Sequence, residues 1–195
     1  IVVIIAVFQG AVTTLQIAYQ LISPLISKPV IGSIVSDSSM LELAPTITCL
    51  VLAGKVGSHM SSEIGTMRVS EQIDALEVMG INSSGYLALP KIIAGLIMIP
   101  CLVIISIFLS NAGGILAGEA SGILTSEEYL QGARASFLPY NLFFALIKAF
   151  TYAFIITTVS SFHGYTTRGG ALEVGASSTK AVVYSAVAIL FSDYL

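Results

Sequence analysis

Five long apolar runs, separated by short polar stretches, organise the 195-residue chain. A helix that crosses a bilayer needs about 20 mostly apolar residues. By that measure the pattern predicts spans over residues 1–22, 43–61, 87–109, 142–162 and 178–195. The first is closed by Ser23-Pro24, and the fifth runs to the last residue. Pro90 and Pro100 fall inside the third. They predict a kink rather than a break, because neighbouring helices can satisfy the freed carbonyls. Ala53, Gly54 and Gly57, and then Gly113, Gly114 and Gly118, supply the small residues that let helix backbones approach in lipid.

Two polar stretches carry signals of their own. From Ser62 to Gly80 the apolar pattern stops abruptly. Ser70 is placed to cap a helix, with Glu71 and Asp74 in the first turn, where the helix dipole favours anions. Gly80 suits the position just past its end. Val69, Ile73, Leu76 and Gly80 share one face, with Glu71, Gln72, Asp74 and Glu77 off it. A short amphipathic helix over about 65–80 is therefore predicted between the second and third spans. Apart from Arg68 it is acidic, whereas helices that lie on anionic lipid are rich in Lys and Arg. A protein partner explains it better than a membrane surface, with a solvated connector as the alternative. In the second stretch, Thr125-Ser126-Glu127-Glu128 has the form of a capping box, with Leu124 and Tyr129 spaced for a hydrophobic staple. Leu130, Ala133 and Phe137 then share a face, which predicts a structural helix resting at the other membrane surface.

Composition gives the class. Hydrophobic residues make up 55% of the chain and charged residues 10%, against about 25% charged in a soluble domain. The bilayer must be its solvent, so the fold expected is an all-α integral membrane protein with about five transmembrane helices. The formal charge of −3 and the lack of a basic run leave no nucleic-acid footprint. Arg68, Lys91, Arg168 and Lys180, with Lys55 close by, outweigh Lys28 and Arg134 on the alternate loops, with Lys148 just inside the fourth span. That bias starts the first span from the cytoplasmic side. The short acidic helix then faces the cytoplasm and the capped one the periplasm. No basic n-region with a cleavage site is visible. The chain opens without Met in an apolar run and stops without a polar tail, so residues missing at both ends are expected. Cys49 and Cys101 sit in apolar runs as small buried hydrophobes.

Lys55 and Glu63 lie near the cytoplasmic end of the second span and Glu42 near its other end, within reach of water. Ionisable groups in a membrane segment are functional candidates because leaving them unpaired is costly. Lys55 either pairs in the interior or snorkels to the interface. No catalytic or metal site is assigned. His59 and His163 stand outside any nucleophile motif, and there is no GxSxG, no Walker A sequence and no metal-ligand cluster.

The run Glu63-Ile64-Gly65-Thr66-Met67-Arg68-Val69-Ser70-Glu71-Gln72-Ile73-Asp74-Ala75-Leu76-Glu77-Val78-Met79-Gly80 resembles the signature of the MlaE/YrbE permease family. Around it, Ala53-Gly54-Lys55-Val56-Gly57 resembles that family's AGRxG, and Leu87-Ala88-Leu89-Pro90-Lys91 its LxxPR. Gly169-Gly170-Ala171, Val174-Gly175 and Ala181-Val182-Val183 resemble its closing GGA, VG and AVV. Lys55 and Lys91 keep the charge of Arg without its bidentate fork. Leu41 stands where the family has Arg before Glu-Leu-Gly-Pro, and Glu173 where Gly is common.

The resemblance implies a bacterial inner-membrane permease of a phospholipid ABC transporter, working as a homodimer. It implies an ABC ATPase subunit that binds the ATP, so the chain itself needs no cofactor. It also implies a periplasmic MCE-domain lipid-binding protein and an interfacial helix ahead of the five spans. By position, Gly65, Thr66, Met67, Arg68, Val69, Glu71, Gln72, Asp74, Ala75, Leu76, Glu77 and Gly80 would form the coupling helix that enters the ATPase. A secondary transporter or channel would need no such docking element. A scaffold that only docks a partner would share it.

Overall fold

The computed structural model describes residues 1–21 and 27–194, and its regular structure there is entirely helical. Its helices are α1 (Val2–Gln20), α2 (Lys28–Val69), α3 (Gln72–Val78), α4 (Ser83–Ala120), α5 (Ser126–Ser136), α6 (Pro139–Tyr165) and α7 (Ala171–Tyr194). Five of them, α1, α2, α4, α6 and α7, are long and apolar enough to cross a membrane, the number expected. The predicted stop at Ser23-Pro24 and the last residue, Leu195, lie outside the described residues.

The spans run past their apolar cores. α2 begins at Lys28 rather than near 43, because Ser27 is extended and Pro29 sits in the first turn, where its missing N–H costs nothing. It continues beyond 61 to Val69. Its hydroxyls bond back onto their own helix, Thr66 to the Ser62 carbonyl at 2.8 Å and Ser70 to the Thr66 carbonyl at 2.8 Å, so polarity does not end it. Gly65 to Val69 are thus the last turns of α2, beyond its apolar stretch, a correction to the short helix predicted from 65. α4 likewise exceeds 87–109 and keeps Pro90 and Pro100 inside one helix. α6 exceeds 142–162 at both ends, and α7 starts at Ala171 instead of 178.

The described residues form two compact units, divided within α2, α4 and α6. The first comprises residues 1–48 and 101–148. Its core is Ala18, Ile31, Val35, Leu124 and Tyr129. Glycines make its close helix contacts: a Cβ on Gly10 would overlap the Ser110 carbonyl, and one on Gly132 the Pro29 carbonyl. Buried hydroxyls pair between helices, Thr48 with Ser106 at 2.7 Å and Ser110 with Ser39 at 3.3 Å. Cys49, at the start of the second unit's share of α2, is buried as expected. Cys101 is exposed, a departure, and stands among the outward apolar side chains Ile97, Met98 and Ile105 of α4.

The second unit comprises residues 49–100 and 149–195. Met60, Ile64 and Ile73 form its buried cluster, backed by Met67, Leu87 and Tyr165. Gly164 lets α6 approach the Ser61 backbone, and Gly65 lies against Thr167 and Val174. Ser178 of α7 donates to the Ser58 carbonyl of α2 at 3.1 Å.

Candidate functional site

The polar stretch after α2 folds as a turn and a short helix in the second unit. α2 ends on Ser70, whose N–H returns to the Thr66 carbonyl at 3.0 Å. Glu71 then takes a left-handed conformation with φ of 60° and caps α3 with no side-chain bond. Such a conformation costs a non-glycine residue roughly 1–2 kcal/mol. Ser70 therefore closes α2 and does not open α3, a one-residue correction. Gly80, with φ of 76°, ends α3 as expected. Ile81 N–H reaches the Leu76 carbonyl at 3.1 Å and Gly80 N–H the Glu77 carbonyl at 3.0 Å, the paired bonds of a Schellman stop.

Three contacts tether α3. Ile73 is fully buried against Met60 and Ile64. Arg68 binds Asp74 through Nη1 and Oδ1 at 2.8 Å, and its guanidinium lies 5.7 Å from the centre of the Tyr165 ring. The Glu77 carboxylate accepts from Ser83 at 2.8 Å and from Tyr165 at 3.0 Å. The Ser83 bond, then the Tyr165 bond, and lastly the Arg68 charge hold its carboxyl below the usual range. Of the expected apolar face, Ile73 is buried, Val69 and Leu76 are half-buried and Gly80 is exposed. Val78 and Met79 turn outward, 89% and 65% exposed. Ser83 and Tyr165 were invisible as members of this site, since a tyrosine ending a span reads only as an interfacial aromatic.

The three ionisable candidates part company. Glu63 is ion-paired with Lys91, and His59 Nδ1 stands 3.7 Å from the same oxygen. Lys55 is exposed, and no acidic partner is found for it among the described residues. It lines a cleft of about 640 Å³ with Ser58, His59, Ser62, Glu63, Thr66, Met67, Gln72 and Ser178. Glu42, in the first unit, binds the buried Lys148 at 2.8 Å. Pro45 has no N–H to offer the Leu41 carbonyl four residues back, and Lys148 Nζ approaches that oxygen at 3.4 Å. The lysine thus serves a freed backbone acceptor and a carboxylate together, a role hidden by the 106 residues between the pair.

Five long apolar helices and a short tethered helix outside them define a multi-pass membrane protein. The chain belongs to the MlaE permease family, whose model, Permease MlaE, matches residues 1–195. It is 40% identical over 188 residues to a probable ABC transporter permease protein of Rickettsia bellii, covering 96% of this chain and 72% of that one. A probable ABC transporter permease protein of Synechocystis is 38% identical over 194 residues, 100% of this chain and 73% of the relative. The chloroplast protein trigalactosyldiacylglycerol 1 of Arabidopsis thaliana is 36% identical over 165 residues, 85% and 47% of the two chains. The protein is a membrane permease subunit.

Proposed function

We propose that the chain is the permease of an ABC transporter that moves phospholipids or related lipids. A separate ATPase subunit binds and hydrolyses the ATP and docks on α3. Two copies of the permease pair in a bacterial inner membrane, the first span entering from the cytoplasm. A periplasmic MCE-domain protein exchanges lipid with them. Relatives named ABC transporter permeases support the ATPase, and one named for a glycerolipid supports the cargo.

The observation that carries the docking role is α3 itself. A seven-residue helix is too short to be stable alone, yet this one is held at Ile73, Asp74 and Glu77 while presenting Val78 and Met79 to solvent. Exposed apolar side chains on a rigid support are what a partner's groove takes up. Because Arg68 and Asp74 bind each other, and Gly65 to Val69 belong to α2, the docking element narrows to Gln72–Val78 and the turn after it. The tethers then pass motion of α3 to α2, through Arg68, and to Tyr165 at the end of α6. The double substitution Val78→Asp with Met79→Asp tests this. Co-purification of the ATPase is expected to fall more than about tenfold, the scale of one interface hot spot, with membrane insertion unchanged. Full recovery of the ATPase would refute the assignment.

A further inference from the structure

The cleft beside Lys55 has the composition of an anion site, and its place along α2 says which anion. We infer that it holds the phosphate of a lipid headgroup from the bilayer leaflet at that end of the helix. Near Lys55 the helix is irregular. Residues Ala53–Gly57 form a π-helical turn, as Ser39–Leu43 do near the other end of α2, a deformation frequent at functional sites. As a result Gly54, Lys55 and Val56 are all exposed in succession, between the buried Ala53 and Gly57. Ser58 steadies the turn by donating to the Gly54 carbonyl.

The chemistry around the lysine suits one negative charge. Among the described residues Glu63 is the only acid lining the cleft and is paired with Lys91, which leaves Lys55 as its unbalanced charge. Thr66 and Ser178 spend their hydroxyls on backbone carbonyls. The Ser62 hydroxyl, the Gln72 amide and the outer face of His59 remain as donors among the described residues. A phosphate oxygen is the acceptor that such a lysine and neutral donors serve together.

Position separates a lipid phosphate from a free one. On one side of Lys55, α2 reads Ala-Pro-Thr-Ile-Thr-Cys-Leu-Val-Leu. On the other it reads Ser-His-Met-Ser-Ser-Glu. The lysine stands where the helix changes from apolar to polar, the level at which lipid phosphates lie between hydrocarbon and water. A lysine that only snorkelled there would need no cleft of neutral donors beside it. All the lining residues belong to the second unit. The site requires only that the chain spans a bilayer, so lipid retention, not transport, is the readout.

The full chain, purified in its complex, would be placed in nanodiscs containing phosphatidylcholine with either phosphatidylglycerol or diacylglycerol, and retained lipid counted by native mass spectrometry. Wild type should retain phosphatidylglycerol over diacylglycerol. Lys55→Gln should lower that retention about tenfold, the scale of one charge-assisted bond. Ser62→Leu, which fills the cleft from its lining, should lower it similarly with the charge left in place, and Lys55→Arg should keep it. Retention that is equal in wild type, Lys55→Gln and Ser62→Leu would overturn the site. So would Lys55-dependent binding of inorganic phosphate without retention of phosphatidylglycerol, which would mark a site for the free anion. Because Ser62→Leu acts by blocking space and Lys55→Gln by removing charge, failure of either variant to insert leaves the other decisive.

Discussion

The two short helices outside the spans are secured by different means. α5 is secured from within its own sequence. Thr125 Oγ1 accepts from the Glu128 N–H at 3.3 Å and the Glu128 carboxylate from the Thr125 N–H at 2.9 Å. That backbone bond is the main cause holding the Glu128 carboxyl low. Leu124 and Tyr129, on either side of the cap, are both buried in the first unit's core, and Tyr129 donates to Asn111 at 3.0 Å. α3 has no such cap. It opens on a left-handed glutamate and is held by Arg68, Ser83 and Tyr165 from other helices, with its last apolar residues outward. Both helices leave apolar side chains outward, Leu130 in α5 and Val78 in α3. What distinguishes them is the means of attachment, a cap and staple of its own for α5 and polar tethers from other helices for α3.

Substitutions that remove packing should separate the two helices most strongly. Tyr129→Ala is expected to cost about 3–5 kcal/mol, as for other large buried aromatics, seen as a lowered melting temperature of the detergent-solubilised chain. Val78→Asp should change the same melting temperature by the equivalent of no more than about 0.5 kcal/mol, since the residue touches little. A large loss at Val78 would erase the contrast. Next in size is the cap. Thr125→Ala should cost about 1 kcal/mol, and a null effect would mean that the staple alone secures α5.

The smallest effect is a pH response in α3 that depends on Tyr165. The folded-state pKa of Glu77 is lowered from 4.5, first by Ser83 and then by Tyr165. A lowered carboxylate contributes stability that is fully present above pH 4.5 and lost as the pH falls below it through the folded value. Amide exchange in α3 should therefore quicken at acid pH in wild type, and Tyr165→Phe should flatten that dependence while leaving the acid response of α5, set by Glu128, unchanged. Identical profiles in the two proteins would take Tyr165 out of the tether.

Legibility in the sequence followed the range of the interactions. The five spans and the capping box rest on residues within a turn or two of each other, and both could be read directly. The start of α2 at Lys28 could not, because Ser33, Ser36, Asp37 and Ser38 interrupt its apolar run while packing keeps it helical. Its end was hidden for the opposite reason, since Thr66 and Ser70 look like chain breakers but bond back to their own helix. The pairs Glu42–Lys148 and Glu63–Lys91, and the convergence of Ser83 and Tyr165 on Glu77, join residues far apart in the chain. No periodicity announces such pairs. The resemblance pointed to Gly65–Gly80 as a coupling segment, and those residues divide between the end of α2 and a helix of seven residues.

Coupling through α3 is the central claim, and reconstituted lipid transfer tests it most directly. The permease and its ATPase would be placed in vesicles carrying a fluorescent phospholipid, with and without hydrolysable ATP. Transfer that requires ATP in wild type and ceases when Val78 and Met79 are both changed to Asp, in vesicles that still contain the permease, is the result predicted here. Equal transfer without the ATPase, or with the substituted α3, would contradict it.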